Sequence, residues 1–387
     1  MNNKPRYTPG SVRYEITNLL HIALVLTPRS FKLLGIDWNQ ICNCLTRMKK
    51  ERVVEKGHGS EVFTCINTKV YEQSMLPYLV ESINKSDLDY FNLYASQDIN
   101  KAKYIRKKAR GDSERVLRNG EIITLMHTAG IATYPSERES VTHGNQILNN
   151  IFYMARDLKD STDYDASVVE SNGEKEVFFS KMNGVVGTRG GNYAVYHFGK
   201  KLRPTPPVGE LKLKVLVENL LSRYTGVCNF PMIENAILIG HTLEVFGKAI
   251  EGDLKQEKII NDFSNMFSNV YALPYDENGR DMLKVMCIED WKRKLIEYCT
   301  EEKMQDTSKE HIVCDLCEGD VYSLVFCVSD VSRLISFMEV AKMHNDKSKY
   351  QIFCFDYQAE FVKKYCGEYA EILIGSLSDL LEEWKIR

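Results

Sequence analysis

Apolar residues recur at helical spacing from Ser11 to Leu26, at Val12, Ile16, Leu19, Leu20, Ala23 and Leu24, which predicts an amphipathic helix. Thr27-Pro28 then supplies a cap and a proline at the first helical position, so a second, short helix is expected, stopped by Gly35. Asp37 can cap a third helix, in which Ile41, Leu45 and Met48 fall at i, i+4 and i+7 and make one apolar face. Val53 and Val54, and then Val62, Phe63, Cys65 and Ile66, have the pattern of two strands, with Gly57-His58-Gly59 as the turn between them. The predicted order is helix, helix, helix, strand, turn, strand, which is that of a winged helix-turn-helix domain over residues 1–70.

Residues 71–160 look mainly helical and polar, and they include an apolar helix that ends near Gly130. From Asp160 to Glu176 the chain turns acidic, with Ser, Asn and Gly, and reads as a linker. The rhythm then changes. Asn192–Phe198 is strand-like, the prolines of RPTPPVG exclude a helix interior, and Glu210–Tyr224 is helical. Ala236–Gly240 predicts a strand, Leu243–Ile250 a helix, Val270 onward a strand, and Leu283–Cys287 a further strand. An amphipathic helix is expected over Asp290–Thr300, strands over Ile312–Leu316 and Tyr322–Val328, a helix over Val331–Met343 and a strand over Gln351–Phe355. Such alternation predicts a mixed α/β domain over residues 177–387. The fold class expected is therefore a multidomain α+β and α/β chain: a winged helix, a helical middle segment and a C-terminal α/β domain.

Composition is consistent with this division. At 387 residues the chain exceeds one ordinary core, and 44% apolar with 27% charged residues is the balance of a folded globular protein. No apolar run is long enough to span a bilayer, and the opening MNNKPRYTPG has no apolar h-region, so no membrane association and no export are expected. Eleven cysteines, an odd number, lie scattered in apolar stretches (Cys42, Cys65, Cys287 and Cys354 among them), the usage of reduced thiols in the cytoplasm.

Charge adds the decisive asymmetry. The total is -3, yet residues 1–69 carry eleven Lys/Arg against five Asp/Glu, and residues 101–118 carry eight against two. Positive potential thus gathers in the first third, where a polyanion is the natural partner. With Ile41, Leu45 and Met48 turned inward, the third helix presents Asn39, Gln40, Asn43, Thr46, Arg47 and Lys50 outward. Amides and guanidinium pair bidentately with adenine and guanine edges in the major groove. Lys56 and His58 at the wing are placed to touch the neighbouring backbone. In the basic run, Lys103, Arg106, Lys107 and Arg110, with Lys101, Lys108, Arg115 and Arg118, are candidate phosphate contacts. A solvated helix face is the plainer account of both groups.

Other motifs carry less. Cys314 and Cys317 form a CxxC, but no second ligand pair completes a zinc site. Glu210 and Lys212 match the E-x-K element of a nuclease superfamily, in which carboxylates hold a divalent metal, but no strand-borne Asp is clearly paired with them. A helix start also explains Glu210 through the dipole. Gly240-His241-Thr242 sits at a strand-to-helix turn, where α/β proteins bind ligands. Gly187-Thr188-Arg189-Gly190-Gly191 reads as a hairpin, since a phosphate cradle would lead into a helix. No catalytic residue, metal ligand or cofactor is assigned.

TPRSFKLLG and WNQICNCLTRMKKERVVEK resemble the N-terminus of the plasmid replication-relaxation family, encoded on plasmids and integrative conjugative elements, with Firmicutes members most similar. RNGEIITLMHTAGIA, VVGTRGGNYAVYHFG and GELKLKVLVENLL are similar to later parts of such proteins. The resemblance implies a mobile-element protein with a DNA-binding winged helix and a C-terminal domain similar to nuclease folds without a clear active site. The expected function is sequence-specific binding of double-stranded DNA, in transcription regulation or as an accessory to replication or transfer. A homodimer and a relaxase or replication initiator are the expected partners. The alternatives are a metal-dependent nuclease targeted by the winged helix, and a protein-protein adaptor.

Overall fold

The computed structural model describes residues 11–23, 25–51, 53–58, 62–66, 113–133, 142–143, 146–147, 150–155, 180–224, 232–308 and 310–386, with 21, 55–58, 62–66, 113, 142–143, 146–147 and 220–224 described by backbone alone. It is a mixed α/β molecule of two compact units, Met1–Lys175 with Arg223–Cys228, and Glu176–Ser222 with Asn229–Arg387. No helix among the described residues is long and apolar enough to cross a membrane.

In the first unit α1 spans Val12–Ala23 and buries Ile16, Leu19, Leu20 and Ala23, the stripe expected from their spacing. The helix stops at Ala23 rather than at the expected Leu26, because Val25 and Leu26 form a two-residue strand, β1 (Val25–Leu26), that helical periodicity does not reveal. Thr27 caps α2 (Pro28–Leu33) by accepting a hydrogen bond from the Ser30 amide, with Pro28 in the first turn. Gly35 then reverses the chain at φ +67°, where a side chain would be strained. Asp37 caps α3 (Trp38–Lys50) through the Gln40 amide at 3.0 Å.

β2 (Val54–His58) and β3 (Val62–Ile66) pair antiparallel, and β3 also pairs β1, giving the order β1-β3-β2. Gly57 and His58 were expected in the turn but are strand residues, opposite Phe63 and Val62. Glycine is permissive rather than obligatory at a turn, and continued pairing with the apolar partner strand holds both residues in the ladder.

The helix α4 (Ser113–Thr128) packs against α1, α2 and β1. Ile122, Ile123, Leu125 and Met126 are fully buried on it. Gly120 permits the approach to β1, because a Cβ there would overlap the Val25 carbonyl oxygen. The segment 71–160 is not uniformly helical, since β4 (Thr142–His143), β5 (Gln146–Ile147) and β6 (Ile151–Met154) occupy its end. The runs 101–110 and 160–176, read as a basic helix and a linker, lie outside the described residues.

The second unit is built on two sheets. In the first, β7 (Gly184–Thr188) and β8 (Gly191–Gly199) form the antiparallel hairpin expected at Gly187–Gly191. β8 then pairs parallel with β9 (Asn235–Gly240), and β9 with β10 (Asn269–Pro274). α5 (Pro207–Tyr224) connects β8 to β9, while α6 (Glu244–Glu251) and α7 (Leu254–Ser264) connect β9 to β10. Parallel strands covered on both faces are buried almost end to end, as β9 and β10 are.

A side-chain ladder crosses the starting edge of these strands. Lys292 Nζ donates to Asn269 Oδ1 at 2.7 Å, Asn269 Nδ2 to Asn235 Oδ1 at 2.8 Å, and Asn235 Nδ2 to the Asn192 carbonyl at 3.2 Å. A one-residue slip would break each bond and expose the buried face, so the ladder reinforces register.

Next come α8 (Glu277–Met286) and α9 (Trp291–Thr300). Leu283–Cys287, expected as a strand, belongs to α8 and its C-terminal cap. A short apolar run does not separate strand from helix, and the Asp276 cap, which accepts from the Gly279 amide at 3.0 Å, starts a helix here.

The second sheet has the order β11-β12-β13-β14: β11 (Leu316–Glu318), β12 (Val321–Val325), β13 (Tyr350–Phe355) and β14 (Glu371–Gly375). The strand expected over Ile312–Leu316 starts only at Leu316. The one expected over Tyr322–Val328 turns into a 3-10 segment at Phe326. α10 (Val331–His344) and α11 (Asp356–Cys366) make the two parallel connections, and α12 (Leu377–Glu383) closes the fold.

Candidate nucleic-acid interface

The site assembles on α3. Ile41 and Met48 are completely buried, Leu45 partly so, and this fixes the rotation of the helix in the unit. The opposite face then has no choice. Asn39, Gln40, Asn43, Thr46, Arg47 and Lys50 are all exposed. Asn39, Asn43, Arg47 and Lys50 follow one another at i, i+4, i+8 and i+11. At 1.5 Å per residue they extend over about 16 Å along one side of the helix.

Electrostatics sharpen the picture. No Asp or Glu occurs from Trp38 to Lys50, and Arg47, Lys49 and Lys50 fill the last turn, where the helix dipole favours cations. The flanking carboxylates are occupied: Asp37 caps the helix, and Glu51 is ion-paired with Arg13. Lys32 adds an exposed cation in the last turn of α2. Thr46 differs from its neighbours, since its hydroxyl donates to the Cys42 carbonyl at 2.8 Å and is engaged by its own helix. That back-bond leaves the Thr46 methyl as its outward feature.

Of the other candidates, Lys56 and His58 lie on β2, at the register positions opposite Thr64 and Val62. Arg115 is exposed on α4, and Arg118 is half-buried and paired with Glu114 at 3.3 Å. Lys103, Arg106, Lys107 and Arg110 fall outside the described residues. Trp38, which sequence reasoning passed over, is 52% exposed in the first turn of α3. Its place three residues before Ile41 gives it the look of a core position. Only the end of the helix, overhanging the packed surface, leaves it in the open.

The motifs singled out in the second unit fall in differing surroundings. Glu210 is completely buried. Its carboxylate accepts hydrogen bonds from Ser180 Oγ at 2.7 Å, the Lys181 amide at 2.6 Å and the Tyr196 hydroxyl at 3.2 Å. Burial, and the neighbouring Glu210 charge, push the Tyr196 hydroxyl well above the ordinary tyrosine value, so it remains a proton donor. Lys212 is exposed, so the two ends of the E-x-K spacing face different environments. Glu210 serves as the hub that ties the start of α5 to β8 and to the segment before β7.

Cys314 is buried, and burial pushes its thiol up to about 11, whereas Cys317 is half-exposed in β11. The His241 amide donates to the Gly199 carbonyl at 2.7 Å, and its ring lies edge-on to His197, with centroids 5.4 Å apart. The His197 ring stacks in turn on Tyr275. Comparison with protein-family models, with curated proteins and with solved structures finds no match for the chain.

Proposed function

We propose that the protein is a sequence-specific double-stranded DNA-binding protein, with α3 as the recognition helix of a winged helix-turn-helix and the β2–β3 ribbon as its wing. The observation that carries this reading is the α3 face. Six side chains able to contact bases or phosphates are exposed together on a helix that has no acidic residue and is anchored by buried Ile41 and Met48. The order of α1, α2 and α3 followed by the antiparallel β2–β3 pair supports it, as does the excess of Lys/Arg over residues 1–69.

In this reading the second unit is a non-enzymatic α/β platform, related to nuclease folds, that serves for dimerisation or for docking a relaxase or replication initiator. The protein then works in the cytoplasm on a mobile genetic element, in transcription control or as an accessory to replication or transfer.

The test is fluorescence anisotropy of the full chain with a random-sequence duplex pool at low and moderate salt. Binding through several phosphates weakens by about 10³-fold or more between about 50 and about 200 mM salt. Arg47→Ala is expected to reduce both the affinity and the salt slope, the latter by about one unit. A chain that retains no duplex even at low salt is not a DNA-binding protein.

A further inference from the structure

The α3 face is not uniform along its length, and the difference points to what it reads. Its leading half carries three amides, Asn39, Gln40 and Asn43, and no charge; its trailing half carries Arg47, Lys49 and Lys50. All six side chains are exposed. In a helix docked in the major groove, the N-terminal residues meet base edges and the flanks meet phosphates. Side-chain amides match adenine, donating to N7 and accepting from the N6 amino group, whereas guanine is matched by Arg or Lys.

Trp38 adds an independent sign. A bulky apolar ring left 52% exposed in the same leading turn has one apolar feature to meet in the major groove, the thymine methyl group. Asn39 follows it about 100° further round the helix, so the leading turn offers both an adenine contact and a methyl contact. That is the pattern an A·T pair, or two neighbouring ones, displays.

We infer that the leading half of α3 selects A·T base pairs, with Asn39, Gln40 and Asn43 reading adenine and Trp38 covering a thymine methyl, while Arg47, Lys49 and Lys50 supply phosphate affinity without base choice. The inference rests on the DNA-binding reading above and gives it a base composition. It also divides the variants into two kinds: changes in the leading half alter which duplex is preferred, and changes in the trailing half alter how tightly every duplex is held.

The experiment selects duplexes from a random-sequence pool with the full chain, then measures the preferred duplex in three forms: unmodified, with deaza-adenine lacking the N7 acceptor, and with uracil in place of thymine. The expected consensus has an A·T core. Deaza-adenine at a contacted position costs about tenfold in affinity, and Asn43→Ala abolishes that penalty at one position. Uracil costs about threefold to fourfold per contacted methyl, and Trp38→Ala binds the thymine and uracil duplexes alike. Lys50→Ala weakens all duplexes equally and keeps the consensus. A G·C consensus, or retained binding that is indifferent to both analogues, overturns this inference and leaves DNA binding standing. Absence of any duplex binding at low salt overturns the DNA-binding reading itself.

Discussion

The hydroxyl of Thr27 donates a 2.9 Å hydrogen bond to the carboxylate of Glu121, and both residues are buried. The same hydroxyl accepts from the Ser30 amide, so one side chain caps α2 and ties it to α4, ninety-four positions further along the chain. Arg29, with Nη1 3.8 Å from Glu121, adds charge compensation from the first turn of α2. The placement of α2 sets where α3 begins, and through it the exposed face.

Thr27→Val keeps the shape and removes both hydrogen bonds. It is expected to cost about 1–3 kcal/mol, the combined loss of a cap and of a partner for a buried carboxylate. Urea denaturation followed by circular dichroism measures this. Thr27→Ser restores most of the stability, and an unchanged midpoint for Thr27→Val would mean that Glu121 is held without it.

Glu210→Ala removes the acceptor of three hydrogen bonds, those of the buried Ser180 and Tyr196 hydroxyls and of the part-buried Lys181 amide. A loss of about 3 kcal/mol or more is expected in the same denaturation measurement. Tyr196→Phe removes one bond of the three and costs about 1–2 kcal/mol. Two equal effects would contradict the role of Glu210 as a hub. For the same reason a nuclease assay on Glu210→Ala is informative only beside a folding control.

Gly247 on α6 faces the ring of Tyr365 on α11, and an added Cβ would overlap that ring. Gly247→Ala is favoured by helix propensity by about 1 kcal/mol, yet the clash outweighs this gain and the variant is expected to be less stable by about 1–3 kcal/mol. Combining it with Tyr365→Ala reverses the sign. Thermal unfolding of the two single variants and the double variant gives the coupling.

Between the same helices, Lys364 Nζ and the Tyr365 hydroxyl donate to Glu244 Oε2 at 2.8 and 2.6 Å. Burial pushes the Glu244 carboxyl up, but these two hydrogen bonds and the lysine charge outweigh it and hold the group below the ordinary glutamate value. The folded carboxyl therefore binds its proton less readily than the unfolded one. Its contribution is complete above the ordinary value and fades as pH falls through the lowered folded value. The stability difference between wild type and Glu244→Gln is expected to be largest at neutral pH and to close on acidification through the carboxylate range. It is small throughout, because the pair is half-exposed. A difference that grows on acidification would contradict the lowered value.

Much of the first unit was legible from local signals. The Thr27 and Asp37 caps, Pro28 in the first turn and the Ile41–Met48 spacing act within one or two helical turns, and each has the expected effect in the structure. The exposure of Asn39, Gln40, Asn43, Thr46, Arg47 and Lys50 followed from them, because burying one face of a helix presents the other. Trp38 escaped the same logic, since a residue on the first turn can overhang the surface its neighbours pack against. Gly57 and His58 were misplaced because strand pairing, and not glycine's freedom, decided their conformation. Leu283–Cys287 was misread because a short apolar run fits either period.

By itself, then, the sequence determined where α2 and α3 begin, which side of α3 is apolar, much of the alternation of strands and helices after residue 180, and the clustering of cations in the first third. Tertiary structure decided that β1 joins β2 and β3, that α4 packs against α1 and α2, that the strands of the second unit divide into two sheets, and that Glu210 is an internal hydrogen-bond hub while Lys212 faces solvent. The physical reason is range. Capping and periodicity act between residues a few positions apart, whereas strand pairing and buried carboxylate partners join residues tens of positions apart, and their energies exist only once the chain has brought them together.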